Sequence, residues 1–145
     1  MVRSWAFRPA LGVRSLGVVL LDHMILPVND VDASVAWYRD VLDLAVDGTA
    51  GPFTVLRVTD DLTIQLAPFG TDGGYHLAFA MAPDEFDDAF GRIKSLGIEY
   101  GDSFHDVGNM RGPGVEAGAR GDGPSVYVFD PSRHLVELRT YVDAA

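Results

Sequence analysis

Four polar side chains sit in otherwise apolar surroundings, and their types could do chemistry together. His23 interrupts the run SLGVVLLDHMILPVND at residues 15–30, and His76 heads YHLAFAM at residues 75–81. Gln65 lies in TIQLAP and Glu137 in HLVELRTY, each a polar residue between aliphatics. Two imidazoles and one carboxylate that leave positions open form the facial set suited to Fe(II), and nearly the same donors serve Zn(II), Ni(II) or Mn(II). Gln65 could add a weak fourth oxygen ligand or hydrogen-bond a water on the metal. Each residue also has an ordinary reading, as a strand histidine bonded to backbone or a glutamate solvated at a sheet end. Their joint placement favours the shared site, because a buried, unpaired glutamate is costly.

The chain contains no cysteine, so disulfides, thiolate metal sites and cysteine nucleophiles are excluded. A formal charge of −10 argues against nucleic acid and against an anionic membrane surface, both of which call for a basic face. A small-molecule substrate is the remaining partner class. At 145 residues, with 48% hydrophobic and 22% charged residues, the chain has the size and composition of one folded domain. Residues 1–15 hold three cations and no acid and read as a loosely held extension; the apolar stretch after them is too short for a membrane span and reads as a strand running into His23. The expected compartment is the cytoplasm.

The elements that must position the four side chains come in two copies. After His23, Asn29-Asp30 offers a helix cap, and Val31, Val35, Tyr38 and Leu42 recur at helical spacing. After His76, Pro83-Asp84-Glu85 starts a helix with the stripe Phe86, Ala89, Phe90, Ile93 and Leu96, closed by Gly97. Trp37 and Phe90 both fall fourteen positions beyond their histidine. Short β-like pieces follow: Phe53–Thr59 and Leu62–Pro68 in the first half, Ser125–Asp130 and His134–Val142 in the second. Each half therefore reads β-α-β-β-β, with module 1 at about 18–70 and module 2 at about 73–142. The expected fold is α+β, with paired βαβββ modules forming a curved mixed sheet or open barrel and the helices on its outer side.

Strand alternation puts His23, His76, Gln65 and Glu137 on the face away from the helices. Arg139 shares the parity of Glu137 and could meet an anionic substrate group, whereas His134 points to the opposite face. Trp37 and Tyr38 read as packing. Residues 104–124, with six glycines and two prolines, read as an irregular insertion, either a mobile lid over the cleft or a passive insertion, with His105 at its entrance and Arg111 and Arg120 as further cations.

Taken together, LDHMILPVNDVDASVAWYRDVLDL, YHLAFAM and VYVFDPSRHLVEL resemble the vicinal oxygen chelate superfamily, over roughly residues 18–142. The resemblance implies a divalent metal held by His23, His76 and Glu137, chelating two neighbouring substrate oxygens. It also implies a homodimer whose cleft is completed across the subunit interface. Among the members, extradiol dioxygenases resemble Val126-Tyr127-x-x-Asp130-Pro131 followed by Glu137, which makes Tyr127 a donor to a substrate oxygen. Their catalytic histidine has no counterpart here, Arg120 standing in that region, and Arg133 replaces their usual glycine. Glyoxalase I would place a fourth ligand at Gln65 and use Glu137 as the base. Fosfomycin thiol transferases share the ligand set and a tyrosine near position 127. Metal-free bleomycin-binding proteins supply the non-enzymatic alternative, sequestration of a ligand between subunits.

Overall fold

In the computed structural model, residues 19–142 are described. The extension expected at residues 1–15 lies outside them. Strand β1 spans His23–Pro27, helix α1 Val31–Leu42, β2 Ala45–Ala50, β3 Phe53–Arg57 and β4 Thr63–Ala67. The second module follows the same plan with β5 His76–Ala80, α2 Pro83–Ser95, β6 Gly114–Gly118, β7 Gly121–Phe129 and β8 Leu135–Arg139.

Each module contributes one four-stranded mixed sheet, ordered β1-β4-β3-β2 and β5-β8-β7-β6. The β1–β4 and β5–β8 pairs are parallel and all others antiparallel. The expected α+β fold of paired βαβββ modules is thus present, with the two sheets left open rather than closed into a barrel. Among the described residues β1 and β5 are therefore both edge strands, each paired on one side only.

Local chemistry accounts for the helices. Asp30 is the N-cap of α1, its Oδ1 accepting from the Ala33 amide at 3.0 Å, and the helix ends where Asp43 turns left-handed at φ 58°. Replacing Asp30 by alanine is expected to cost about 1 kcal/mol, read as a lower urea midpoint at unchanged slope. In α2, Pro83 occupies the first turn, where its missing N–H is harmless, and Gly97 at φ 69° ends the helical path. The Arg92 guanidinium of α2 donates twice to the Val41 carbonyl, at 3.1 and 2.9 Å, satisfying an orphan acceptor at the end of α1. Leu26, Leu56, Ile64 and Leu66 from one sheet and Val126, Val136 and Leu138 from the other join Tyr38, Val41, Phe86, Phe90 and Ile93 in a continuous core. The helices cover that face and leave the other to His23, Gln65, His76 and Glu137.

Two expectations need correction. The apolar residues ahead of His23 are not strand: Val19, Leu20 and Leu21 are exposed, and the ladder starts only where the Thr63 amide meets the Asp22 carbonyl. Nor is 104–124 irregular throughout, because residues 114–118 and 121–124 lie in the β6–β7 hairpin. Three of its glycines stand where other groups approach closely. A Cβ on Gly114 would strike the Asp102 carbonyl, one on Gly118 the Arg139 guanidinium, and one on Gly123 the Thr140 carbonyl. The remaining insertion is the connection 96–113, eighteen residues where the first module needs only Asp43 and Leu44. It is itself stitched down by the Gly101–Tyr127 bridge and by Asn109 Nδ2 donating to Asp102 Oδ1 at 2.7 Å.

Candidate metal centre

His23 and His76 occupy the same place in their modules. Each is the first residue of an edge strand, and each is paired in parallel with the first residue of that module's last strand, Thr63 and Leu135 respectively. Two positions on, Gln65 faces Ile25 and Glu137 faces Ala78, so Gln65 and Glu137 are structural counterparts.

On the second module the donors meet. His76 Nε2 lies 3.1 Å from Glu137 Oε1, and Glu137 Oε2 accepts from Arg139 Nη1 at 2.9 Å. Glu137 is 5% exposed, while the His76 side chain is about half exposed, at 47%. Two donors held at about 2.1 Å from one first-row cation, at right angles, stand roughly 3 Å apart. The His76–Glu137 pair therefore fits half of such a site as it stands.

Tyr127 lies directly opposite Glu137 in the β7–β8 ladder and is buried. Burial, then the negative charges of Glu137 and Glu116 and a hydrogen bond to Glu137, push its phenol up to about 12, against the opposing effect of Arg139. At neutral pH Tyr127 is a neutral hydroxyl and acts as a donor.

His23 is placed elsewhere. It is half exposed, and its Nδ1 bonds Asp22 Oδ2 at 2.7 Å, which leaves Nε2 open. A carboxylate on the far nitrogen is the arrangement that orients a metal-ligating imidazole. Among the described residues, however, no three His, Asp or Glu side chains of one chain converge on a point that could hold a metal. His23 and Gln65 belong to one sheet, His76 and Glu137 to the other.

Two of the three candidate cations, Arg139 and Arg120, are held by neighbours within the fold. Arg139 is 3% exposed, its guanidinium turned onto Glu137 and the carbonyls of Glu116, Ala117 and Gly121. Arg120 stacks on the Tyr141 ring at 4.4 Å. Exposed His105 lies against Phe104, ring centroids 3.8 Å apart, and Phe104 in turn stands 6.3 Å from Tyr127.

A buried polar network behind the site escaped the sequence reading. Asp130 Oδ2 accepts from the Tyr38 hydroxyl at 2.7 Å, and its Oδ1 accepts the Ser132 and His134 amides, both at 2.9 Å. Burial, and then the Asp130 charge, raise the Tyr38 phenol above its ordinary range. His134 is fully buried, accepts from the Tyr75 amide through Nδ1 at 3.2 Å, and so donates from Nε2 to the Pro27 carbonyl at 2.7 Å. Its placement agrees with the parity that kept it off the ligand face. The residue thereby ties the end of β1 to the start of β5. The helical position of Tyr38 signalled packing, and nothing in its spacing signalled a partner 92 residues away.

Comparison with known proteins places this geometry in context. The Glyoxalase/Bleomycin resistance protein/Dioxygenase superfamily model matches residues 20–138. Virulence protein STM3117 of Salmonella typhimurium (strain LT2) is 24% identical over 131 residues, covering 84% of each chain. Among solved structures, oxidase ChaP-H1 is 30% identical with a TM-score of 0.71, over 88% of this chain and all (100%) of that one. The fosfomycin resistance protein FosX from Listeria monocytogenes, in a complex with Mn(II) and a dihydroxypropylphosphonic acid, is 23% identical with a TM-score of 0.62, over 85% of this chain and 90% of that one. At that identity the likeness to FosX is one of fold. Among the described residues, no helix is long and apolar enough to cross a membrane.

Proposed function

Because the chain belongs to the Glyoxalase/Bleomycin resistance protein/Dioxygenase superfamily, we propose that it is a divalent-metal-dependent enzyme that oxidises a small substrate presenting two adjacent oxygens, with dioxygen as the oxidant. The observation that carries this reading is the His76–Glu137 pair, 3.1 Å apart, with the half-exposed imidazole on edge strand β5, the buried carboxylate on the neighbouring β8, and the counterpart His23 on edge strand β1 of the other sheet. Two copies of the chain resolve the mismatch. Set β1 of one protomer beside β5 of its partner, and His23 and Gln65 face His76 and Glu137 across the joint. Ile25, Ala78 and Ala80, all exposed on these strands, gain cover in the same step. Unpaired edges with apolar side chains are the surfaces that associate.

In this dimer His23, His76 and Glu137 would hold the cation, Fe(II), Mn(II) or Ni(II) for the oxidation and redox-inert Zn(II) only for the isomerisation reading, with Gln65 as a weak fourth contact. The metal supplies Lewis-acid polarisation of the two substrate oxygens. Asp22 and Arg139 orient the ligands, and the single hydroxyl proton of Tyr127 is donated to Glu137 in the free site and passes to an adjacent substrate oxygen when substrate is bound. Both Glu137 oxygens are engaged, one by His76 and one by Arg139, which suits a fixed ligand better than a mobile proton carrier. The 30% identity to an oxidase supports oxidation over isomerisation. Gln65, standing where a fourth ligand belongs, favours glyoxalase-like isomerisation as the second reading.

Metal analysis of protein purified without chelator or nickel resin, followed by oxygen uptake with catechols under Fe(II), tests the first reading. Isomerisation of a thiol–ketoaldehyde adduct without oxygen uptake supports the second. Absence of stoichiometric metal and of any metal-stimulated turnover leaves ligand sequestration. Glu137→Gln is expected to lower Mn(II) affinity at least tenfold by removing the one anionic donor, while the amide oxygen still accepts from Arg139 and the fold is kept. Unchanged affinity in a calorimetric titration refutes the assignment of Glu137.

A further inference from the structure

A carboxylate can meet a cation through one oxygen or through both, and a freely rotating glutamate samples the two modes. Glu137 is not free. Its Oε2 accepts from Arg139 Nη1 at 2.9 Å, and the same nitrogen donates to the Ala117 carbonyl at 3.1 Å. The second nitrogen, Nη2, donates to the carbonyls of Glu116 at 3.0 Å and Gly121 at 3.4 Å. The Tyr141 ring lies against the guanidinium, its centroid 4.7 Å from Cζ. Three carbonyl acceptors and an aromatic face fix a planar fork in a way that a flexible ammonium cannot match.

All three carbonyls belong to the β6–β7 hairpin, and the hairpin is shaped to receive the fork. A Cβ on Gly118 would occupy the space of the guanidinium carbon, and one on Gly123 would come within 3.3 Å of Nη2. The glycine-rich stretch is a bed for an arginine.

We propose that Arg139 is a positioning residue that holds Glu137 by Oε2, so that Oε1 alone is presented to His76 and to the metal. The inference rests on the metal-centre reading above. It assigns to the hairpin the task of setting how the ligand carboxylate coordinates, and takes Arg139 out of the set of substrate contacts.

The test is Mn(II) titration calorimetry together with infrared difference spectra of the metal-loaded and metal-free protein. The splitting of the carboxylate stretches assigned to Glu137 distinguishes one-oxygen from two-oxygen binding, with Glu137→Gln as the reference that identifies its bands. Arg139→Met removes the fork, and Arg139→Lys keeps a charge without it. Both are expected to weaken Mn(II) binding about ten- to a hundredfold, the usual effect of losing a residue behind a metal ligand, and to narrow the splitting toward two-oxygen binding. A merely structural role lowers thermal stability but leaves affinity and splitting alone; wild-type values for both in either variant overturn the inference. Should both variants fail to fold, Gly118→Ala displaces the guanidinium from the other side and is read in the same way. A wild-type protein that takes up no metal fails in a different manner, overturning the functional reading and this inference with it.

Discussion

Mixing His23→Ala protein with His76→Ala protein, each unable to bind metal by itself, is expected to restore binding to about a quarter of the sites. The arithmetic follows from symmetry. In a two-fold dimer each site takes His23 from one protomer and His76 with Glu137 from the other, so a mixed dimer has one site lacking both histidines and one with both intact. Random reassortment makes half the dimers mixed, and half of their sites complete. The effect is large because the comparison is with near-zero binding in either parent. Stoichiometry after co-refolding, read by metal analysis of the desalted protein, checks it. No recovery, with dimers shown by sedimentation to have exchanged, means that His23 and His76 of different chains do not share a cation. Substantial binding by either parent alone removes that histidine from the ligand set.

Asp130→Ala is the substitution expected to cost most in stability. It strips the acceptor from three donors at once, the Tyr38 hydroxyl and the Ser132 and His134 amides, on residues that are at most 1% exposed. Each buried donor left without a partner costs about 1–3 kcal/mol, so a total loss on the order of 4 kcal/mol is expected. For a chain of this length that is roughly a 10–15 °C fall in Tm. Tyr38→Phe removes one bond and leaves the two backbone donors satisfied, and is expected to cost about 1 kcal/mol. Calorimetric unfolding of both variants checks the order. A loss below 1 kcal/mol for Asp130→Ala would mean that water or another group takes over the acceptor role. The network also joins the modules, since the Asn29 amide donates to Ser132 Oγ at 3.0 Å and His134 reaches Pro27. Loosening it should let the two edge strands drift relative to each other, with weaker metal binding as the accompanying sign.

Local signals were the legible ones. The apolar stripe Phe86, Ala89, Phe90, Ile93 and the caps at Asp30 and Pro83 are short-range features, and the helices stand where those features put them. The repeat was legible for the same reason, because period-two alternation around His23, Gln65, His76 and Glu137 survives in the linear order and fixes which face each occupies. Glycine is the ambiguous signal. Its abundance in 104–124 is compatible both with a mobile loop and with a hairpin pressed against Arg139 and Thr140, and composition carries no record of what lies 3 Å away in space. Edge strand β2, Ala45–Ala50, has no bounds legible in the sequence because five of its six positions are exposed and no apolar alternation marks it.

The amino-acid sequence by itself determined the two βαβββ modules, the face on which the four polar side chains lie and the donor types available to a metal, because alternation and helical period are properties of neighbours along the chain. Only the tertiary structure decided that His76 and Glu137 meet while His23 stands apart on a second open edge, that Arg139 grips the carboxylate, and that Asp130 gathers Tyr38, Ser132 and His134. Those are contacts between sheets, hairpins and turns brought together by burial of a common core, and their partners are chosen by three-dimensional packing that no short window of sequence contains.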